Sequence, residues 1–215
     1  MKDHIPYFKR FTELIFNEQA EELLICCQLQ YDRIQPDIAF SLKSPNLIDR
    51  RLDFSAYVLA YIVTLEQKGI AKEEIRKICL QIVTAFVQPE NRREAWLKRS
   101  IPYLLRTWPG KFLVQVFKKK IAKTSHPEGF RAEIITDKEQ TFGFGYGIDI
   151  HECGICKLYS RHHKSAFTSL LCEIDEITSG LAGLELIRTG TIANGAKKCD
   201  FRFRPVNTPL QKRTH

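Results

Sequence analysis

No stretch of this 215-residue chain approaches the run of roughly 18 apolar residues that a membrane-spanning helix requires. The first residues, Met-Lys-Asp-His-Ile-Pro, lack the apolar core of a secretory signal, so the expected location is cytoplasmic and no membrane partner is expected. Acidic residues are in deficit. The 25 Asp and Glu face 33 Lys and Arg, a formal charge of +8 that favours anionic partners without choosing among them. Zinc-finger spacing, a phosphate-binding loop and the aromatic signature of RNA-binding sheets are all missing, so nucleic acid is not an expected partner. Cysteine is not scarce, but seven is an odd number for a chain placed in the cytoplasm, and the thiols are read as free.

What is present divides by its period. The expected fold class is α+β, a single domain over 1–215, with a helical part at 1–125, a motif-bearing part at 126–204 and a frayed tail at 205–215. Up to about Ile121 apolar residues recur at helical intervals, beginning with Phe8, Phe11, Ile15, Leu23 and Cys27. Pro36 and Pro45 bracket a looser connection. Helices are expected over Asp53–Gln67, released at Gly69, and from Ala71 to a stop at Pro89, with Cys79 on the apolar stripe. From Glu90 to Lys123 the pattern is helical and basic, interrupted by Pro102 and Pro109, and Phe112, Leu113, Val116, Phe117 and Ile121 mark a buried face. Lys118 to Lys120 reads first as a solvated helix end, favoured by the helix dipole, and second as a nucleic-acid contact.

After Pro127 the pattern alternates. Phe130–Asp137 and Thr141–His151 are expected to form one hairpin, and Leu184–Thr191 and Lys198–Arg204 a second, with helices over Cys153–His163 and Ser165–Ile177 between them. The helical part should lie as a layer on the small antiparallel sheet built from these hairpins. In the second strand Gly143, Gly145, Gly147, Asp149 and His151 share a face. Such a face admits either close packing or a ligand, and packing is the default.

Cys153-Gly-Ile-Cys156 has the gap of zinc sites and of redox pairs. A four-thiol set would have to recruit Cys172 and Cys199 through folding, against the alternative of buried free thiols. Cys172 and Asp175, three residues apart, fall on one helix face. A thiolate at Cys172 would need a positive neighbour or a base, and Arg188 or His151 would serve only if the fold brings them close. Arg188 shares a strand face with Leu184 and Leu186, and either pairs with Asp175 or Glu185 or binds a substrate carboxylate. Thr189, Thr191 and Asn194 suit a strand and a turn, and could equally hydrogen-bond a ligand.

The order Glu152-Cys153-Gly154, Leu171-Cys172-x-x-Asp175 and Arg188-Thr189-Gly190-Thr191-Ile192-Ala193-x-Gly195-x-x-x-Cys199-Asp200-Phe201 resembles the L-2-amino-thiazoline-4-carboxylic acid hydrolase family. The resemblance covers about Phe130 to Arg204, with Arg92-Arg93 and Trp96 matching in general character. It implies a hydrolase of cysteine metabolism that opens a small cyclic amidine or thiazoline carboxylate to a carbamoyl-cysteine. The same stretch looks like vinyl-reductase-type ligand-binding domains, which implies the alternative of a small-molecule sensor or carrier.

For a hydrolase the expected partner is a small anionic substrate. Cys172 would be nucleophile or metal ligand, Asp175 general base or amidinium partner, and Asp149 and His151 second-line acid/base groups. Arg188, Thr189, Thr191 and Asn194 would bind substrate. No cofactor is required by the pattern, but a divalent metal, zinc or manganese, would fall to Cys153, Cys156, Cys172 and Cys199. No feature sets an oligomeric state.

Overall fold

The computed structural model describes residues 3–123 and 126–206. Four helices, α1 (Ile5–Phe16), α2 (Ala20–Ile38), α3 (Arg51–Gln67) and α4 (Lys72–Val87), make the helical layer. α3 is apolar on every side because it runs through the middle, against α2 and α4, and Leu52, Val58, Leu59, Ile62 and Leu65 are fully enclosed. Each such aliphatic side chain contributes about 1.5–3 kcal/mol when withdrawn from water. The buried hydroxyls of α3 find partners: Tyr61 lies 2.8 Å from Thr12 Oγ1, and Ser55 and Thr64 donate to Arg51 O and Ala60 O. The loose connection expected from Pro36 begins later than that: α2 continues to Ile38 with Pro36 in its last turn. There the missing N–H costs a single ladder bond, and burial of Ile34 and Ile38 outweighs it.

α5 (Arg92–Leu104) and α6 (Trp108–Ile121) form an elbow. The Asn91 side chain caps α5 by accepting from Glu94 N at 2.9 Å, and Thr107 Oγ1 caps α6 by accepting from Gly110 N at 3.4 Å. Pro109 therefore opens α6 rather than interrupting it, at a position whose N–H has no helical partner. The elbow closes tightly enough that a Cβ on residue 110 would stand 2.0 Å from the Leu104 carbonyl oxygen, so only glycine fits. α6 rests on the sheet edge through Val114 and Ile121. The expected buried face is only half covered: Phe112, Leu113 and Phe117 stand exposed, because the described residues lay nothing over that second stripe.

The sheet contains β1 (Arg131–Ile135), β2 (Gly147–Glu152), β3 (Leu184–Ile187) and β4 (Cys199–Pro205), all antiparallel in the order β1-β2-β4-β3. Two short helices, α7 (Gly154–Arg161) and α8 (Thr168–Leu181), connect its halves. The two expected hairpins are thus fused through β2 and β4, where Ile148 faces Phe201 and Ile150 faces Cys199. Those side chains, with Ala132 and Ile134, join the core shared with the helical layer, whereas Asp149 and Asp200 pair on the opposite sheet face.

The strand expected at Thr141–His151 begins only at Gly147. Residues 137–145 wind into consecutive turns, with Thr141 N donating to Asp137 O at 3.1 Å and Gly143 N to Lys138 O at 2.9 Å. Gly143 (φ 73°) and Gly145 (φ 106°) hold left-handed conformations that no strand contains, so their spacing serves the turns and not a glycine face. The second hairpin is likewise shorter than expected. β3 stops at Ile187, and a 3-10 turn over Ile192–Asn194 followed by left-handed Gly195 fills the connection. Of the expected frayed tail, Pro205 ends β4, Val206 N donates to Gly183 O at 3.0 Å, and 207–215 lie outside the described residues.

A buried polar clip ties the two parts of the chain. Asp49 accepts from Phe130 N at 2.8 Å and from Ser44 Oγ, while Asn46 Nδ2 donates to Phe130 O at 3.0 Å. It fixes the start of β1 against the loop that leads into α3.

Candidate functional site

The chain passes from β2 into α7 at Cys153, which is still extended (φ −103°, ψ 111°) when the helix begins at Gly154. The sulfur therefore stands at the helix N-terminus, where backbone N–H groups have no helical acceptor. The neighbouring Cys156 thiol gives the largest support to its charged form, burial opposes ionisation, and the N–H groups of Cys156 and Ile155 and the Arg51 guanidinium add to that support, bringing Cys153 down to about 7. Cys156 is driven the other way, above all by the proton it holds toward Cys153. Of the two, Cys153 is the readier to ionise and Cys156 the one that keeps its proton.

Cys172, on α8, is pushed up to about 12, first by burial and then by neighbouring Asp175. Cys199, on β4, is also raised by burial, and its Sγ accepts from Ile192 N at 3.2 Å. All four thiols nonetheless feel one another electrostatically, so the fold gathers the set that the sequence suggested. Gathering is not ligation: among the described residues no group of three or more His, Cys, Asp or Glu side chains is placed to hold a metal ion.

Arg51, the first residue of α3, donates to Asp175 at 2.7 Å, and that carboxylate raises the guanidinium still further above its ordinary value. Beside it, a cavity of about 190 Å³ lies between α3, α4, α7 and α8, lined by Phe54, Phe86, Ile155, Leu171 and Ile174 and reached by His4. Drug-sized sites usually exceed about 300 Å³, so this one suits a small ligand. Burial lowers His4 and keeps its imidazole neutral.

Arg188 meets neither of its expected carboxylates. It donates to Cys172 O at 3.2 Å and pairs with Glu176 at 2.5 Å, strapping the end of β3 to α8. Asp200 accepts from Thr189 N at 2.9 Å, Thr189 Oγ1 at 2.8 Å and Gly190 N at 3.3 Å; burial works against its charge, but these donors hold it below the usual carboxylate value. Thr191 is buried and its hydroxyl has no partner among the described residues, while Asn194 is exposed in its turn.

Asp149 and His151 stand apart from the thiols. Asp149, nearly inaccessible on the far face of the sheet, pairs with Lys198 at 2.5 Å and Arg202 at 2.7 Å. Burial opposes its ionisation, yet the two cations hold it below its ordinary value. His151 Nε2 lies 3.0 Å from Glu133. Arg51 and His4 are the groups that sequence reasoning missed. Their only signal is an arginine opening a largely apolar helix, and a histidine just before an amphipathic one.

Fold and site together define a class, an α+β protein with four neighbouring thiols and, beside Arg51, a small apolar cavity. The family model described as L-2-amino-thiazoline-4-carboxylic acid hydrolase matches residues 50–203, a span that contains the four thiols, Arg51 and Asp175, and the chain belongs to that family. No curated protein and no solved structure matches it.

Proposed function

We propose that the protein hydrolyses a small cyclic amidine carboxylate, with L-2-amino-thiazoline-4-carboxylate as the parent substrate and a carbamoyl-cysteine as product. The observation that carries this reading is Cys153 at the N-terminus of α7, within electrostatic reach of the Arg51 that borders a small cavity, in a chain of this family. The nucleophile is then Cys153, and Cys172 remains a neutral thiol.

The Cys153 thiolate attacks the amidine carbon between ring nitrogen and ring sulfur. The carbon–sulfur bond of the ring breaks, the departing sulfur takes the Cys156 proton, and an isothiourea remains on Cys153. Water adds to the same carbon, returns a proton to Cys156 and expels the Cys153 thiolate, leaving a urea. One water is consumed and nothing is oxidised or reduced. Arg51 uses one donor on Asp175 and has others for the substrate carboxylate, so Asp175 positions it. Neutral His4 and the apolar lining keep bulk water from the ring.

The test is mass-spectrometric turnover of the parent compound, with metal content measured on the same sample. Cys153→Ala should lower kcat/KM by roughly three orders of magnitude or more, with Cys172→Ala far milder. Undiminished ring opening in Cys153→Ala would remove this site. Thermal stabilisation by the compound without turnover would favour a sensor or carrier.

A further inference from the structure

The α5–α6 elbow carries a surface that the proposed reaction does not use. Between Asn91 and Lys123 the sequence places ten Lys and Arg against one carboxylate, Glu94, so this segment alone exceeds the net charge of the whole chain. Among the described residues only Lys98 of these ten pairs with a carboxylate. Between the cations stand Trp96, Leu97, Ile101, Leu104, Trp108 and Phe112, all exposed, with Trp108 at 88% and Phe112 at 70%. Both tryptophans of the chain are here. Beneath them a groove of about 680 Å³ runs between α6 and the turns at 137–145, bordered by Arg106, Lys111 and Lys138, with the Arg106 guanidinium 5.0 Å from the Phe144 ring centre.

We propose that this elbow docks on the surface of an anionic lipid bilayer, its apolar side chains entering the acyl boundary and its cations, with the groove, holding phosphate headgroups. Charge selects the occupant. A second copy would bring the same concentrated positive charge against itself, and the chain's own C-terminal segment adds Lys212 and Arg213 with no acidic residue, so neither complements the surface. Nucleic acid would satisfy the cations but leave Leu97, Ile101 and Leu104 against a phosphate backbone. An anionic bilayer satisfies both sets: tryptophan and aliphatic groups partition at its interface while lysine and arginine remain among headgroups. This departs from the expectation of no membrane partner, which rests on the missing spanning run. That absence bears on crossing a bilayer and not on adsorbing to one.

The test is co-sedimentation of the full chain with vesicles of phosphatidylcholine alone and of equimolar phosphatidylcholine and phosphatidylglycerol, read together with tryptophan emission. Binding is expected only to the anionic vesicles, with a blue shift, and it should be released by high salt. Lys118→Gln/Lys119→Gln/Lys120→Gln should lower partitioning on the order of a hundredfold. Trp108→Ala/Phe112→Ala should weaken binding and diminish the shift. All five positions are on the exposed elbow, and circular dichroism of each variant checks that it folds. No binding to anionic vesicles at low salt would overturn the proposal, as would binding unchanged in both variants. Burial of the elbow in a dimer seen by sedimentation equilibrium, or binding to oligonucleotide but not vesicles, would also overturn it.

Discussion

Cys153 and Cys172 carry the same functional group and differ in address. One stands where a strand hands over to a helix, with N–H donors and a second thiol aimed at it; the other is enclosed on a helix flank beside a carboxylate. The sequence made the four cysteines and the Asp175 spacing legible, but not which thiol ionises, because that depends on the residue at which α7 starts. Arg51 was invisible for a related reason, since its partner Asp175 lies 124 residues away and only the fold joins them. If Cys153 is the nucleophile, kcat/KM should rise as pH passes about 7 and then level off. Cys156→Ala removes the largest support for the thiolate, so that limb should move to higher pH; a pH–rate profile of the variant checks it, and an unmoved limb would show that Cys153 does not set it.

At the scale of elements, periodicity located the helices well, and the errors cluster where one residue type serves two purposes. In the sequence Pro109 suggests a break, yet it starts a helix; Gly143 and Gly145 suggest a strand face, yet they are left-handed turn residues. Alternation in sequence imitated a strand because every second residue of a glycine-rich turn happened to be aromatic. The Asp49 clip has no sequence signal, as one donor is Ser44 in the loop before it and the other Phe130, far downstream. Asp49→Ala leaves a buried Phe130 N–H and Ser44 hydroxyl without this acceptor, and should cost about 2–4 kcal/mol, measured by urea unfolding.

For the whole molecule, the α+β class and the layer of helices on a small antiparallel sheet were readable, whereas the union of the two hairpins into one sheet was not. Nothing local in β2 specifies β4 as its second neighbour; the pairing follows from burying Ile148, Ile150, Cys199 and Phe201 together. The same pairing puts Asp149 under Lys198 and Arg202. Its carboxyl is held below the unfolded value, so it adds stability above about pH 4 that is lost as pH falls through the folded value. Urea midpoints taken from neutral pH downward should fall, and in Asp149→Asn that acid limb should be shallower, although the variant is weaker at neutral pH.

Strand order also governs the sequence of assembly. β4 is the last of the four strands along the chain and an interior one in the sheet, between β2 and β3. During synthesis the β1–β2 pair and the β3 segment therefore emerge with open edges, and neither can close the sheet until Cys199–Pro205 has cleared the ribosome. The wall of the core that carries Cys199 is the last to form.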